Sequence, residues 1–141
     1  MTHHVVWFRN DLRLHDHEPL VTACAAAERS GSTVLPIYVV DPKCFDKTSF
    51  GFDRIGPHRI RFLRESLLDL DSNLESAGSK LHILVGQPDQ VISRLCDLVD
   101  VEAVYFYSES APEEVETQQA VVKALCRSNV ACKASPPTTL Y

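Results

Sequence analysis

No stretch of this sequence approaches the ~20 consecutive apolar residues that a bilayer-spanning helix requires. The N-terminus offers no secretory leader either, because it passes at once into the short apolar run His4 to Phe8. The five cysteines, Cys24, Cys44, Cys96, Cys126 and Cys132, are odd in number and show no C-x-x-C spacing. They lack both a disulfide framework and the paired spacing of a zinc site, and read as free thiols in or near a core, in a reducing compartment. An excess of positive charge is also missing: the formal net charge is −5, against the basic balance expected of an autonomous nucleic-acid binder.

Glycine is scarce, and its five copies form none of the phosphate-gripping loops. After the first apolar run comes Arg9-Asn-Asp-Leu-Arg13, with no G-x-G-x-x-G and no G-K-[ST], so neither a dinucleotide dehydrogenase nor a P-loop nucleotidase is supported. There is no G-x-S-x-G nucleophile elbow, no internal repeat and no low-complexity tract. His3, His4, His15 and His17 lack the i, i+4 spacing of helical metal ligands.

What remains is a soluble globular composition, 45% hydrophobic and 23% charged, with one domain's length at 141 residues. Four strand-then-helix alternations and a fifth strand follow, the rhythm of a parallel sheet covered on both faces. Strands are expected at His4–Phe8, Thr33–Val40, Leu81–Val85, Glu102–Tyr107 and Val130–Lys133. Pro36 suggests a bulge in the second. The first helix is expected to start after Asp16 as N-cap and to stop at Gly31. The second begins at Pro57 and carries Ile60, Leu63, Leu67, Leu70, Leu74 and Ala77 on one face, closed by Gly78. The third follows Gly86-Gln-Pro88, and the fourth opens on Ser110-Ala-Pro-Glu113, a capping-box pattern. Residues 135–141, rich in proline, read as the start of a linker after a domain spanning 1–134.

In such a sheet ligands bind beyond the carboxyl ends of the strands, at the point where strand order reverses. Those ends gather Arg9, Asn10, Asp11, Arg13, Asp41, Arg54 and Glu109. A flat polar heteroaromatic with a phosphate or carboxylate suits them. The basic cluster Arg54, His58, Arg59, Arg61 and Arg64 has two readings: a solvated face with Arg61 paired to Glu65, or a surface meeting an anionic partner.

The segment Val5-Val-Trp-Phe-Arg-Asn-Asp-Leu-Arg-Leu-His-Asp-His-Glu-Pro-Leu20 resembles the opening of DNA photolyases and cryptochromes. Three further blocks stand in the right order: Tyr38-Val-Val-Asp-Pro42, Gly51-Phe-Asp-Arg-Ile-Gly-Pro-His-Arg59 and Leu84-Val-Gly-Gln-Pro88. The phrasing is most similar to the cryptochrome-DASH branch and to plant and algal photolyase-like proteins. The resemblance implies a Rossmann-like α/β domain with a five-stranded parallel sheet of order 3-2-1-4-5.

It implies further that a helical domain, joined through a linker, holds FAD, docks DNA and performs the light-driven chemistry, so that this chain alone is not expected to be active. The α/β domain then contributes scaffold and an antenna chromophore: methenyltetrahydrofolate, or a deazaflavin or flavin. Glu109 takes the place of the carboxylate that holds a pterin, while Arg9, Asp11, Asp41 and Arg54 line the alternative crevice site. Asp11 and Arg13 carry an architectural reading as well, as ion pairs that tie down the turn. The expected partner is the helical FAD domain or another fused domain, with DNA reached only through it and no membrane involved. The expected location is intracellular: cytoplasm, or plastid, mitochondrion or nucleus in a eukaryote.

The fourth helix departs from the family's E-E-[VL]-D-V-E-R, reading Glu113-Glu-Val-Glu-Thr-Gln-Gln119, so Gln119 stands at the arginine position. The usual W-G-S-T-L-Y ending becomes Ser135-Pro-Pro-Thr-Thr-Leu-Tyr141. Two other classes compete with the antenna domain: a cofactor-free protein-interaction module, and a nucleotide binder of the universal-stress or electron-transfer-flavoprotein type.

Overall fold

A computed structural model describes residues 2–9, 17–41, 57–109 and 112–135, with the backbone alone at 57–60 and 113. Chain order is β1 (Thr2–Phe8), α1 (Glu18–Ser30), β2 (Thr33–Val40), α2 (Pro57–Ser76), β3 (His82–Val85), α3 (Pro88–Leu98), β4 (Asp100–Tyr107), α4 (Pro112–Arg127) and β5 (Ala131–Ser135). The strands form one sheet of order β3-β2-β1-β4-β5, every pairing parallel. Order reverses between β1 and β4, which makes their carboxyl ends the switch point.

Alternation along β1 builds the two faces. Val5 and Trp7 point to one side and join Ile37, Val39, Val104 and Phe106 with Ile92 of α3 and Val121 and Leu125 of α4. Val6 and Phe8 point to the other and pack with Ala23 of α1 and Leu67, Leu70 and Leu74 of α2. Of the face expected for α2, Leu67, Leu70 and Leu74 are buried and Leu63 is half-buried, whereas Ala77 lies past the helix end and is exposed, and the Ile60 side chain lies outside the described residues. Each of the three buried leucines removes enough apolar surface to stabilise the fold by roughly 1.5–3 kcal/mol. Phe62 and Leu68, off that stripe, are exposed.

Several local expectations change. The N-cap of α1 is His17, one residue beyond Asp16: its Nδ1 accepts from the Leu20 amide at 3.1 Å. A neutral imidazole nitrogen serves here as the acceptor that Asp or Ser usually supplies. Asp16, Ser110 and the Glu113 side chain lie outside the described residues. Gly31 does end α1, in the left-handed region at φ 68°.

No bulge interrupts β2 at Pro36, which pairs in register with Val6. The β3 pairing begins one residue later, at Ile37, so Pro36 faces an edge where a strand proline is tolerated. The irregularity lies instead in β4, where His3 pairs with Val101 and His4 with Ala103. Strand β5 spans Ala131–Ser135 rather than the expected Val130–Lys133. Cys24 and Cys126 are exposed rather than packed in a core, while Cys96 and Cys132 are half-buried; Cys44 lies outside the described residues. Among the described residues no helix is long and apolar enough to cross a membrane.

Candidate functional site at the carboxyl edge

Aromatic packing fixes the carboxyl ends of β1 and β4 against the start of α1. His17 is fully buried, its ring 4.7 Å from that of Phe8 and 5.0 Å, edge-on, from that of Tyr107. The Tyr107 hydroxyl accepts from the Glu18 amide at 2.9 Å. Two of the first-turn donors of α1 are thereby satisfied from within the site, one by His17 and one by β4.

On the opposite face Arg9 follows β1 directly. Its guanidinium lies 4.7 Å over the Trp7 ring, donates to Gln118 Oε1 at 3.0 Å and donates to the Glu114 carbonyl at 2.8 Å. Burial leaves Arg9 only 9% exposed, so a charge in that position is tolerable only with such a set of partners. The sequence places Arg9 among crevice-lining groups; the structure commits these two donors to α4.

Gln118 is the residue that sequence reading missed. Besides Arg9, its Oε1 accepts from the Glu109 amide at 3.1 Å, and its Nε2 reaches the Ser108 hydroxyl at 3.5 Å. It joins the ends of β1 and β4 across the switch point. Helical period carries the signal: Val121 and Leu125 are buried against the sheet, and Gln118 lies one turn before them on that face. Gln119, the departure singled out from the family pattern, is exposed.

Glu109 follows β4 and is half-buried. Its backbone is pinned by Gln118, and the preceding Ser108 amide donates to the Ser135 carbonyl at 2.8 Å. Asp41 ends β2, also half-buried. Arg9 and Glu109 are thus brought together through Gln118, and Asp41 stands two strands from Glu109 across β1. Asp11 and Arg54 lie outside the described residues, as do Asn10 and Arg13.

The basic start of α2 leaves Arg61, Arg64 and Glu65 exposed, and no ion pair joins Arg61 to Glu65. The cost of fixing two long solvated side chains explains why that expected pair is absent. His4 and His17 are each engaged in hydrogen bonds, and no three His, Cys, Asp or Glu gather as metal ligands among the described residues.

A parallel sheet of order 3-2-1-4-5, helices on both faces, and a polar switch point built without a glycine-rich loop define a Rossmann-like α/β domain. More narrowly, the chain belongs to the DNA photolyase family, whose pattern it matches over residues 4–141. It is 40% identical over 136 residues to cryptochrome DASH of Gloeobacter violaceus, covering 96% of this chain and 26% of that protein. The crystal structure of a Synechocystis cryptochrome superposes with a TM-score of 0.88 at 36% identity, over 95% of this chain and 27% of that one. An archaeal photolyase from Sulfolobus tokodaii, described with two FAD molecules and a novel light-harvesting cofactor, superposes with a TM-score of 0.74 at 26% identity. That match covers 95% of this chain and 29% of the archaeal one. The chain therefore spans little more than a quarter of the length of these relatives.

Proposed function

We propose that this chain serves as the antenna-bearing α/β domain of a blue-light-dependent photolyase or cryptochrome system, acting together with a helical FAD region outside these residues. The observation that carries this reading is Glu109, a half-buried carboxylate at the end of β4 whose backbone is locked by Gln118. Antenna function asks for position and orientation of a chromophore, not for a nucleophile or a proton relay. A carboxylate carried on a backbone tied in this way meets that need.

Of the two antenna chemistries, the folate type fits the described residues better. A pterin presents amino and N–H donors, and Glu109 supplies an acceptor. A flavin or deazaflavin in the crevice would draw on Arg9, whose guanidinium already donates to Gln118 and Glu114. When bound, the folate absorbs near-ultraviolet light and passes excitation to FAD; the protein's part is to orient its ring.

The test offers the purified chain methenyltetrahydrofolate, a flavin and a deazaflavin in turn, and reads the absorbance that survives gel filtration. Folate absorbance is expected, with affinity reduced about tenfold or more in Glu109→Gln, since the variant loses a charge-assisted acceptor. Retention of a flavin that is indifferent to Glu109→Gln would move the antenna to the crevice. Failure of all three to bind would leave the domain as scaffold only.

A further inference from the structure

The opposite edge of the sheet carries a second polar constellation. At the amino ends of β1, β4 and β5, beside the last turn of α1, lies an open hollow of about 410 Å³. Its lining includes His4, Arg29, Ser30, Glu102, Tyr105 and Lys133. Ala26, Ala103 and Ala131, from three different elements, leave an apolar floor between them.

The β4 irregularity builds this place. Val101 and Ala103 face opposite sides of the sheet although two residues apart, and Glu102 between them swings to His4. Its Oε2 lies 3.1 Å from His4 Nε2. A carboxylate can only accept, so Nε2 carries the hydrogen; with the ring neutral, Nδ1 accepts from the Tyr105 hydroxyl at 3.0 Å. Burial first, then the charge of Glu102, raises the Tyr105 phenol above its ordinary value, and Arg29 partly offsets this. The phenol therefore stays a neutral donor at ordinary pH, and Tyr–His–Glu is a scaffold rather than an activated nucleophile.

Glu102, the carboxylate of the hollow, is thus taken by His4, which is only 3% exposed. Arg29 and Lys133 are left at the rim, both exposed and neither with an ion-pair partner among the described residues. With His4 neutral the lining carries two positive charges and one negative, a local excess of one positive charge in a chain of net charge −5. We propose that this hollow binds a small molecule bearing an oxyanion, a carboxylate or phosphate, clasped between Arg29 and Lys133 with its apolar body over the three alanines. The site is independent of the antenna reading, since it lies at the far end of the strands from Glu109.

The experiment is a backbone-amide NMR titration of the 141-residue chain with inorganic phosphate and, separately, with benzoate, at constant ionic strength. Saturable shifts are expected at Ser30, Ala103 and Ala131. The double variant Arg29→Gln/Lys133→Gln should bind about tenfold more weakly or worse, because hydrogen bonds to charged groups are lost. Both positions are exposed, so the variant should fold, and unchanged amide dispersion elsewhere checks this. Lys123→Gln, on α4 across the sheet, should leave binding unaltered. Phosphate alone binding would assign a phosphate site, and benzoate alone a carboxylate site that uses the alanine floor. Shifts that rise linearly without saturating, or that weaken equally in Lys123→Gln, would overturn the proposal.

Discussion

The guanidinium of Arg9, at the end of β1, and the amide hydrogen of Glu109, at the end of β4, meet on one oxygen, Oε1 of Gln118. Two strands that diverge at the switch point are thereby tied by a single side chain from α4. Gln118→Leu should remove that acceptor and leave a nearly buried charged donor short of a partner. We expect a loss of about 1–3 kcal/mol in urea unfolding. Gln118→Glu should instead strengthen the bond to Arg9 by charge assistance and leave stability equal or higher. If both variants lost stability alike, the tie would be packing rather than hydrogen bonding.

His17 caps α1 and fills the space between Phe8 and Tyr107. His17→Ala removes cap and ring together and should cost about 2–4 kcal/mol by denaturant titration. His17→Asn restores a capping oxygen without the ring and should recover about 1 kcal/mol of that loss. Equal stability of the two variants would mean that the cap contributes nothing.

Gly86 links the end of β3 to α3 with φ at 146°, its amide donating to the Val40 carbonyl at 2.9 Å. A Cβ there would stand 2.7 Å from Val91 Cγ2. Gly86→Ala should cost about 1–3 kcal/mol in unfolding free energy. Adding Val91→Ala should relieve the clash but not the backbone strain, so the pair should remain less stable than Val91→Ala alone. A fully silent Gly86→Ala would contradict this geometry.

Burial raises the thiols of Cys96 and Cys132, and burial with Glu102 raises the phenol of Tyr105. In each case the fold favours the protonated form, so the unfolded chain releases its protons first as pH climbs. The stability these groups lend is whole below their ordinary values of 9.0 and 10.0 and falls as pH rises towards the folded ones. The urea midpoint should drop from about pH 8.5 upward, and Tyr105→Phe should flatten the portion above about pH 10. A midpoint independent of alkaline pH would count against burial of these groups.

Much of the architecture was legible in the chain. The strand segments, the period of Leu67, Leu70 and Leu74, and the stop at Gly31 follow from local chemistry: side-chain alternation, helical spacing and a residue free to take positive φ. Placing Arg9, Asp41 and Glu109 at strand ends needed only the element order. Reading Asp16 as the cap and Pro36 as a bulge failed because both rested on residue preference alone. A buried imidazole can accept a hydrogen bond as well as aspartate can, and a proline costs little on a side of the strand where pairing has not yet begun, as at Pro36 towards β3.

The sequence by itself determined a photolyase-family α/β domain, the five strands and four helices, and a polar switch point lacking any phosphate loop. Only the tertiary structure decided what those polar groups do. It turned Arg9 onto Trp7 and α4, made Gln118 rather than Gln119 the tie between β1 and β4, and swung Glu102 to His4 through a register shift. Arg9 and Gln118, like His4 and Glu102, lie roughly a hundred residues apart along the chain. Local propensity specifies which element a residue occupies, but the packing of helices on an open five-stranded sheet selects which distant group its side chain meets.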